Sequence, residues 1–130
     1  MRTVFDTNVY ISAFAAPGSR SSLALQLAAR GVFELVVSPA ILAELRRKLA
    51  GPKFGFSERE LNDADRDIGE VATVVEPDKR ILECAVASGA SAIVTGDKEL
   101  LALGSYEGIG IMTVVELLYT FPEPGLARVR

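Results

Sequence analysis

Two kinds of segment alternate along this chain: short runs of strand-forming, mostly apolar residues, and longer stretches whose apolar residues recur at helical spacing. The runs are Thr3-Val4-Phe5, Phe33 to Val37, Thr73-Val74-Val75, Ala92 to Thr95 and Ile109 to Met112. Each is too short for a helix and lacks the strict alternation of a half-exposed strand, so the pattern predicts buried strands. Between them the helical spacing predicts a short helix from Asn8 to Phe14, capped by Thr7 or Asn8. A second helix has Leu23, Ala24, Leu27 and Ala28 on its apolar face, with Ser21-Ser22 as its cap and Gly31 as its end. A third runs from Pro39 to about Leu49, with Ile41, Leu42, Leu45 and Leu49 facing inward.

The segment opened by Ser57-Glu58-Arg59-Glu60 carries a capping box and continues to about Val71 as the most polar helix of the chain. Ile81, Leu82, Ala85 and Val86 mark the buried face of a fifth helix. Lys98–Leu103 and Thr113 to about Phe121 complete the set, with Gly51–Phe56 and the stretch through Gly104 and Gly108 read as loops. Strands alternating with helices at this spacing imply right-handed crossovers and a mostly parallel sheet of about five strands, covered on both faces in a three-layer α/β/α arrangement. The chain reads as one domain over residues 1–121, followed by a tail over 122–130.

Composition narrows the chemistry. With 130 residues and 49% apolar content there is enough material for one packed core. Cys84 is the sole cysteine and there is no histidine, so neither an internal disulfide nor His-based acid–base chemistry is open to the chain. No apolar run approaches the ~20 residues that span a bilayer, and the first strand begins almost at Met1, which points to a cytoplasmic protein without a membrane segment. The formal charge of −3 argues against binding nucleic acid through a global basic field, while leaving room for local basic patches.

Four acidic residues fall near the carboxyl ends of strands, where an open parallel sheet binds its ligands: Asp6, Glu44, Asp78 and Asp97. Carboxylates brought into one crevice repel unless a proton or cation intervenes, and an all-oxygen set selects a hard ion such as Mg²⁺ or Mn²⁺. Such a site supports hydrolysis of a phosphodiester. Each residue also has a plainer reading. Asp6 or Asp78 suits a helix N-terminus, Asp97 suits a turn after Gly96, and Glu44 suits an i,i+4 pair with Lys48. Arg46-Arg47-Lys48 fits the last turn of its helix and could equally touch phosphates. Cys84 reads as a small core residue.

The motifs resemble the PIN domain, in particular the group of toxin–antitoxin ribonucleases related to VapC. Phe5-Asp6-Thr7-Asn8-Val9 is similar to the family's opening Asp-Thr-Asn motif, and Leu35 to Leu45, with Ser38-Pro39 and Glu44, to its second. Asp78 to Ala85 resembles the helix bringing the third acidic residue, and Ile93-Val94-Thr95-Gly96-Asp97 the fourth motif. The resemblance implies strand order 3-2-1-4-5 and a Mg²⁺- or Mn²⁺-dependent endoribonuclease acting on single-stranded RNA. Asp6, Glu44, Asp78 and Asp97 would hold the metal, with Asn8 and Thr95 supporting them. It also implies an antitoxin partner that occludes the acidic groove and a homodimer; the apolar helices at Leu23–Ala29 and Ile41–Leu49 are a candidate interface, although their periodicity fits core equally well. Only two residues separate Val75 from Asp78, fewer than relatives usually have. That departure sustains the alternative of a PIN-like RNA- or protein-binding module with a non-catalytic metal site.

Overall fold

The computed structural model describes residues 1–75 and 81–121. Four strands, β1 (Arg2–Phe5), β2 (Glu34–Val37), β3 (Ala72–Val74) and β4 (Ala92–Val94), form the sheet with β5 (Ser105–Tyr106) and β6 (Ile109–Met112). The helices are α1 (Thr7–Ala15), α2 (Arg20–Ala29), α3 (Pro39–Ala50), α4 (Glu58–Val71), α5 (Ile81–Ser88), α6 (Lys98–Leu103) and α7 (Val114–Thr120). The sheet order is β3-β2-β1-β4-β6-β5, parallel from β3 through β6, with β5 alone antiparallel at the edge. The expected order 3-2-1-4-5 is thus present, its fifth strand being β6, and the sheet and helices make the three-layer α/β/α fold.

β1 lies at the centre because its residues are apolar toward both faces of the sheet. Val4 and Phe5 point oppositely along the pleat, yet both are buried. Val4 pairs in register with Val36 on one side and Ile93 on the other. Phe5 packs against Tyr10 and Phe33, with ring centroids 5.7 and 5.9 Å away, and Phe33 stacks on Phe121 at 5.4 Å. Arg2 latches the start of the strand, pairing with Glu34 at 3.0 Å and donating to the Ser88 carbonyl.

Several expected details shift. The loop expected between Gly104 and Gly108 contains β5 and a tight hairpin, in which Tyr106 pairs with Ile109 across Glu107 and Gly108. Both central residues have positive φ, 48° and 81°, as a two-residue turn with the right twist requires. The usual sequence signal for that turn is Asn-Gly or Asp-Gly, so Glu107-Gly108 hid it. The cap of α2 is Ser19, whose hydroxyl accepts from the Ser22 N–H at 3.2 Å, and not Ser21-Ser22. On α5, Val86 is 43% exposed, whereas Cys84, Ala85 and Ser88 are buried. The helix is rotated so that positions 81, 84, 85 and 88 form its inward stripe. The tail over 122–130 lies outside the described residues.

Of the two uses open to the apolar stripes of α2 and α3, core or interface, Ala24, Leu27, Ala28, Ile41, Leu45 and Leu49 take the first, all belonging to the chain's own buried core.

Candidate active site

The site grows from the carboxyl end of β1. The Asp6 N–H donates to the Val94 carbonyl at 2.8 Å, extending the β1–β4 pairing one residue beyond the strand and setting Asp6 beside Thr95. Asp6 occupies the N-cap position of α1, where a carboxylate would ordinarily bind the helix's free N–H groups, yet its side chain makes no such capping bond. It accepts instead from the Thr95 hydroxyl, at 2.6 Å to Oδ2. Thr95 is completely buried, and its Oγ1 also accepts from the Asp97 N–H at 2.9 Å. One hydroxyl therefore ties the end of β1 to the loop after β4.

Asp97 behaves partly as its plainer reading expects: its Oδ1 caps α6 by accepting from the Glu99 N–H at 2.8 Å. Glu44 comes to the same end of the sheet on α3. Ser38 starts that helix by accepting from the Ile41 N–H at 3.2 Å, and Pro39 sits in its first turn. Glu44 Oε2 accepts from the Thr7 hydroxyl at 2.9 Å. Its Oε1 lies 3.6 Å from Lys48 Nζ and 3.9 Å from a terminal nitrogen of Arg47. From the sequence, Thr7 is only a possible cap of α1. It is buried, and its role beside Glu44 had no signal beyond its place in the Asp-Thr-Asn motif.

Glu44 and Asp97 are thus joined through neighbouring residues on one stretch of backbone. Glu44 bonds Thr7, Thr7 follows Asp6, Asp6 bonds Thr95, and Thr95 holds the Asp97 amide. Asn8 is exposed on the next position of α1. Asp78 lies outside the described residues. Among the described residues no three acidic side chains stand close enough to grip a single ion. The donor set is nonetheless all oxygen, with two of the carboxylates oriented by threonine hydroxyls, which suits a hard divalent cation if Asp78 or water supplies further ligands.

The sequence profile of the PIN domain matches residues 2–99, which include all four acidic positions. The chain belongs to the PIN domain family. PIN domains are generally nucleases, hydrolases of nucleic acid that typically use divalent metals, and their fold is the one found in this chain. No curated protein matches the chain significantly.

The basic run of this PIN domain divides between two tasks. Arg46 turns to α4, bonding Glu58, Asp65 at 2.6 Å and Asn62 at 3.2 Å, and so cross-links the two helices. Arg47 and Lys48 turn to Glu44. Cys84 is buried, and that burial pushes its thiol up from its ordinary value against a lowering hydrogen bond with Ser38, so it is held neutral in the core. Among the described residues no helix is long and apolar enough to cross a membrane.

Proposed function

We propose that this PIN domain is a Mg²⁺- or Mn²⁺-dependent endoribonuclease of single-stranded RNA, acting in the cytoplasm as the toxin of a toxin–antitoxin pair. The observation that supports it most is the bond from Thr95 to Asp6. A strand-end carboxylate in a cap position forgoes the helix and is aimed by a buried hydroxyl, the arrangement expected of a residue with a task at the sheet's edge. In this reading Asp6, Glu44, Asp78 and Asp97 hold the metal. When bound, the ion polarises the scissile phosphate and lowers the pKa of its water. The chain's own part is positional. Thr95 orients Asp6, Thr7 orients Glu44, and Asn8, exposed one step along α1, is placed to hydrogen-bond substrate.

The toxin assignment rests on the likeness of the four acidic motifs to those of the VapC group, and it carries two proposed partners: an antitoxin that covers the acidic groove, and a second copy of the chain. A second reading, a PIN-like binding module without catalysis, is kept by one feature of the sequence, the short connection of two residues between Val75 and Asp78. Incubation with varied single-stranded RNAs and Mn²⁺ separates the two. Cleavage that stops with chelator, and in Asp6→Asn and Asp97→Asn, supports the enzyme. Intact RNA in the presence of folded wild-type protein and Mn²⁺ supports the binding module.

A further inference from the structure

A groove of about 690 Å³ opens beside the acidic end of the sheet, between α1 and the segment joining α3 to α4. One wall is a single face of α1, with Asn8, Ile11, Ser12 and Ala15 at helical spacing, and the other carries Arg47, Lys48, Lys53 and Phe54. Three cations and no carboxylate line it, in a protein whose formal charge is −3. Lys53 Nζ stands 5.4 Å from the centroid of the Phe54 ring, so a cation and an aromatic face are presented together. The groove starts at Asn8, two residues from Asp6, and Arg47 and Lys48 at its edge are the residues that face Glu44. From Asn8 to Ala15 the wall runs roughly 10 Å at the rise of an α-helix. That matches about three stacked nucleotides at ~3.4 Å each.

We infer that this groove is the subsite that holds one arm of the single-stranded RNA next to the cleaved bond. Lys53 and Arg47 take successive phosphates, and Phe54 receives a base against its ring. The inference rests on the nuclease reading and adds to it the residues that line the strand's path. The mix of lining groups suits this occupant. Cations alone would match any anion, but a lining that adds Ile11, Ala15 and an aromatic beside a lysine matches a chain that alternates phosphate and base. Continuity with the acidic residues favours a substrate over a separate protein ligand, because a strand lying along α1 is led directly to Asp6.

The test is binding of a fluorescein-labelled, 2′-O-methyl single-stranded RNA oligonucleotide in metal-free buffer, read by anisotropy as salt is varied. It compares wild type with Lys53→Glu and Phe54→Leu, both checked for unchanged thermal unfolding. Lys53→Glu is expected to weaken binding about tenfold and to flatten the salt dependence by at least ~0.7 in log–log slope. Phe54→Leu is expected to weaken it about fivefold or more with the slope unchanged. Wild-type affinity in both variants, or no binding by wild type, overturns the inference. So does unchanged RNA binding when the same variants lose affinity for a hexaglutamate peptide, which would assign the groove to an acidic protein partner. Because the assay contains no metal, it reads binding apart from cleavage, and unmodified RNA that is bound in this way but never cut with Mn²⁺ would sink the nuclease reading alone.

Discussion

Thr95, buried at the end of β4, donates its hydroxyl to Asp6 at the end of β1 across 2.6 Å and 89 positions of sequence. The same oxygen receives the Asp97 amide, so the placement of two acidic residues depends on one side chain. Thr95→Val keeps the volume and removes both bonds. It is expected to lower RNA cleavage by about 10–100-fold, the usual cost of losing a group that orients a metal ligand, and to cost about 1 kcal/mol of stability by orphaning the Asp97 N–H. Thr95→Ser should recover most of the activity. Cleavage at the wild-type rate by Thr95→Val would deny Thr95 its positioning role.

Glu44 has two competing explanations that one variant separates. If it acts in the site, Glu44→Gln should cut RNA at least ~100-fold more slowly, while stability moves by no more than about 0.5 kcal/mol, because Arg47 and Lys48 are exposed and the glutamine oxygen can still accept from the Thr7 hydroxyl. If it is only a helix ion pair, stability falls by a similar small amount and cleavage is unaffected. Initial rates with Mn²⁺, together with urea unfolding, read both quantities on the same protein.

Arg46 is the cross-link between α3 and α4, held by Glu58, Asn62 and Asp65. Arg46→Ala is expected to lower unfolding stability by about 1 kcal/mol, the upper range for a partly exposed charge network, and the loss should shrink in high salt. Its RNA affinity should remain that of the wild type. A drop in affinity equal to that of a groove lysine would mean that Arg46 also touches phosphate.

Tyr10 is wholly buried and its hydroxyl finds no hydrogen-bond partner among the described residues. Burial pushes its ionisation far above the ordinary value, with the neighbouring Cys84 adding to the shift, and Cys84 itself is pushed up by burial. Both folded-state values exceed the unfolded ones, so both groups favour the folded state while protonated. Their contribution is complete at pH 7. It is lost as pH rises past the unfolded values, roughly 8.5 for the thiol and 10 for the phenol, at up to ~1.4 kcal/mol per pH unit for each group. Urea midpoints measured between pH 7 and 11 should therefore fall steeply at the alkaline end. Tyr10→Phe should flatten the fall above pH 10 and, by removing an unpartnered hydroxyl, raise stability at pH 7 by about 1 kcal/mol. A less stable Tyr10→Phe at neutral pH would show that the hydroxyl has a partner in solution.

The elements of this fold were legible because their cause is local. Five short apolar runs with helical stretches between them suffice to predict a parallel α/β sheet, since a strand apolar toward both faces must be covered on both. The capping box at Ser57 and Glu60 and the helix start at Pro39 follow from bonds within four residues of one another. Where a local signal was weak or shared between neighbours, the tertiary structure decided: Ser19 over Ser21 as the cap of α2, Cys84 and Ser88 over Val86 on the inner face of α5, and a strand in place of a loop before Glu107-Gly108. The site divides in the same way. Sequence alone could place Asp6, Glu44 and Asp97 near strand ends, because the order of elements determines which end of the sheet each one reaches. It could not say that Thr95 would aim Asp6, that Thr7 would take Glu44, or that Arg46 would leave its two basic neighbours to bind α4. Those choices depend on sheet register and on the angle at which helices cross, so they exist only when residues distant in the chain have been packed together.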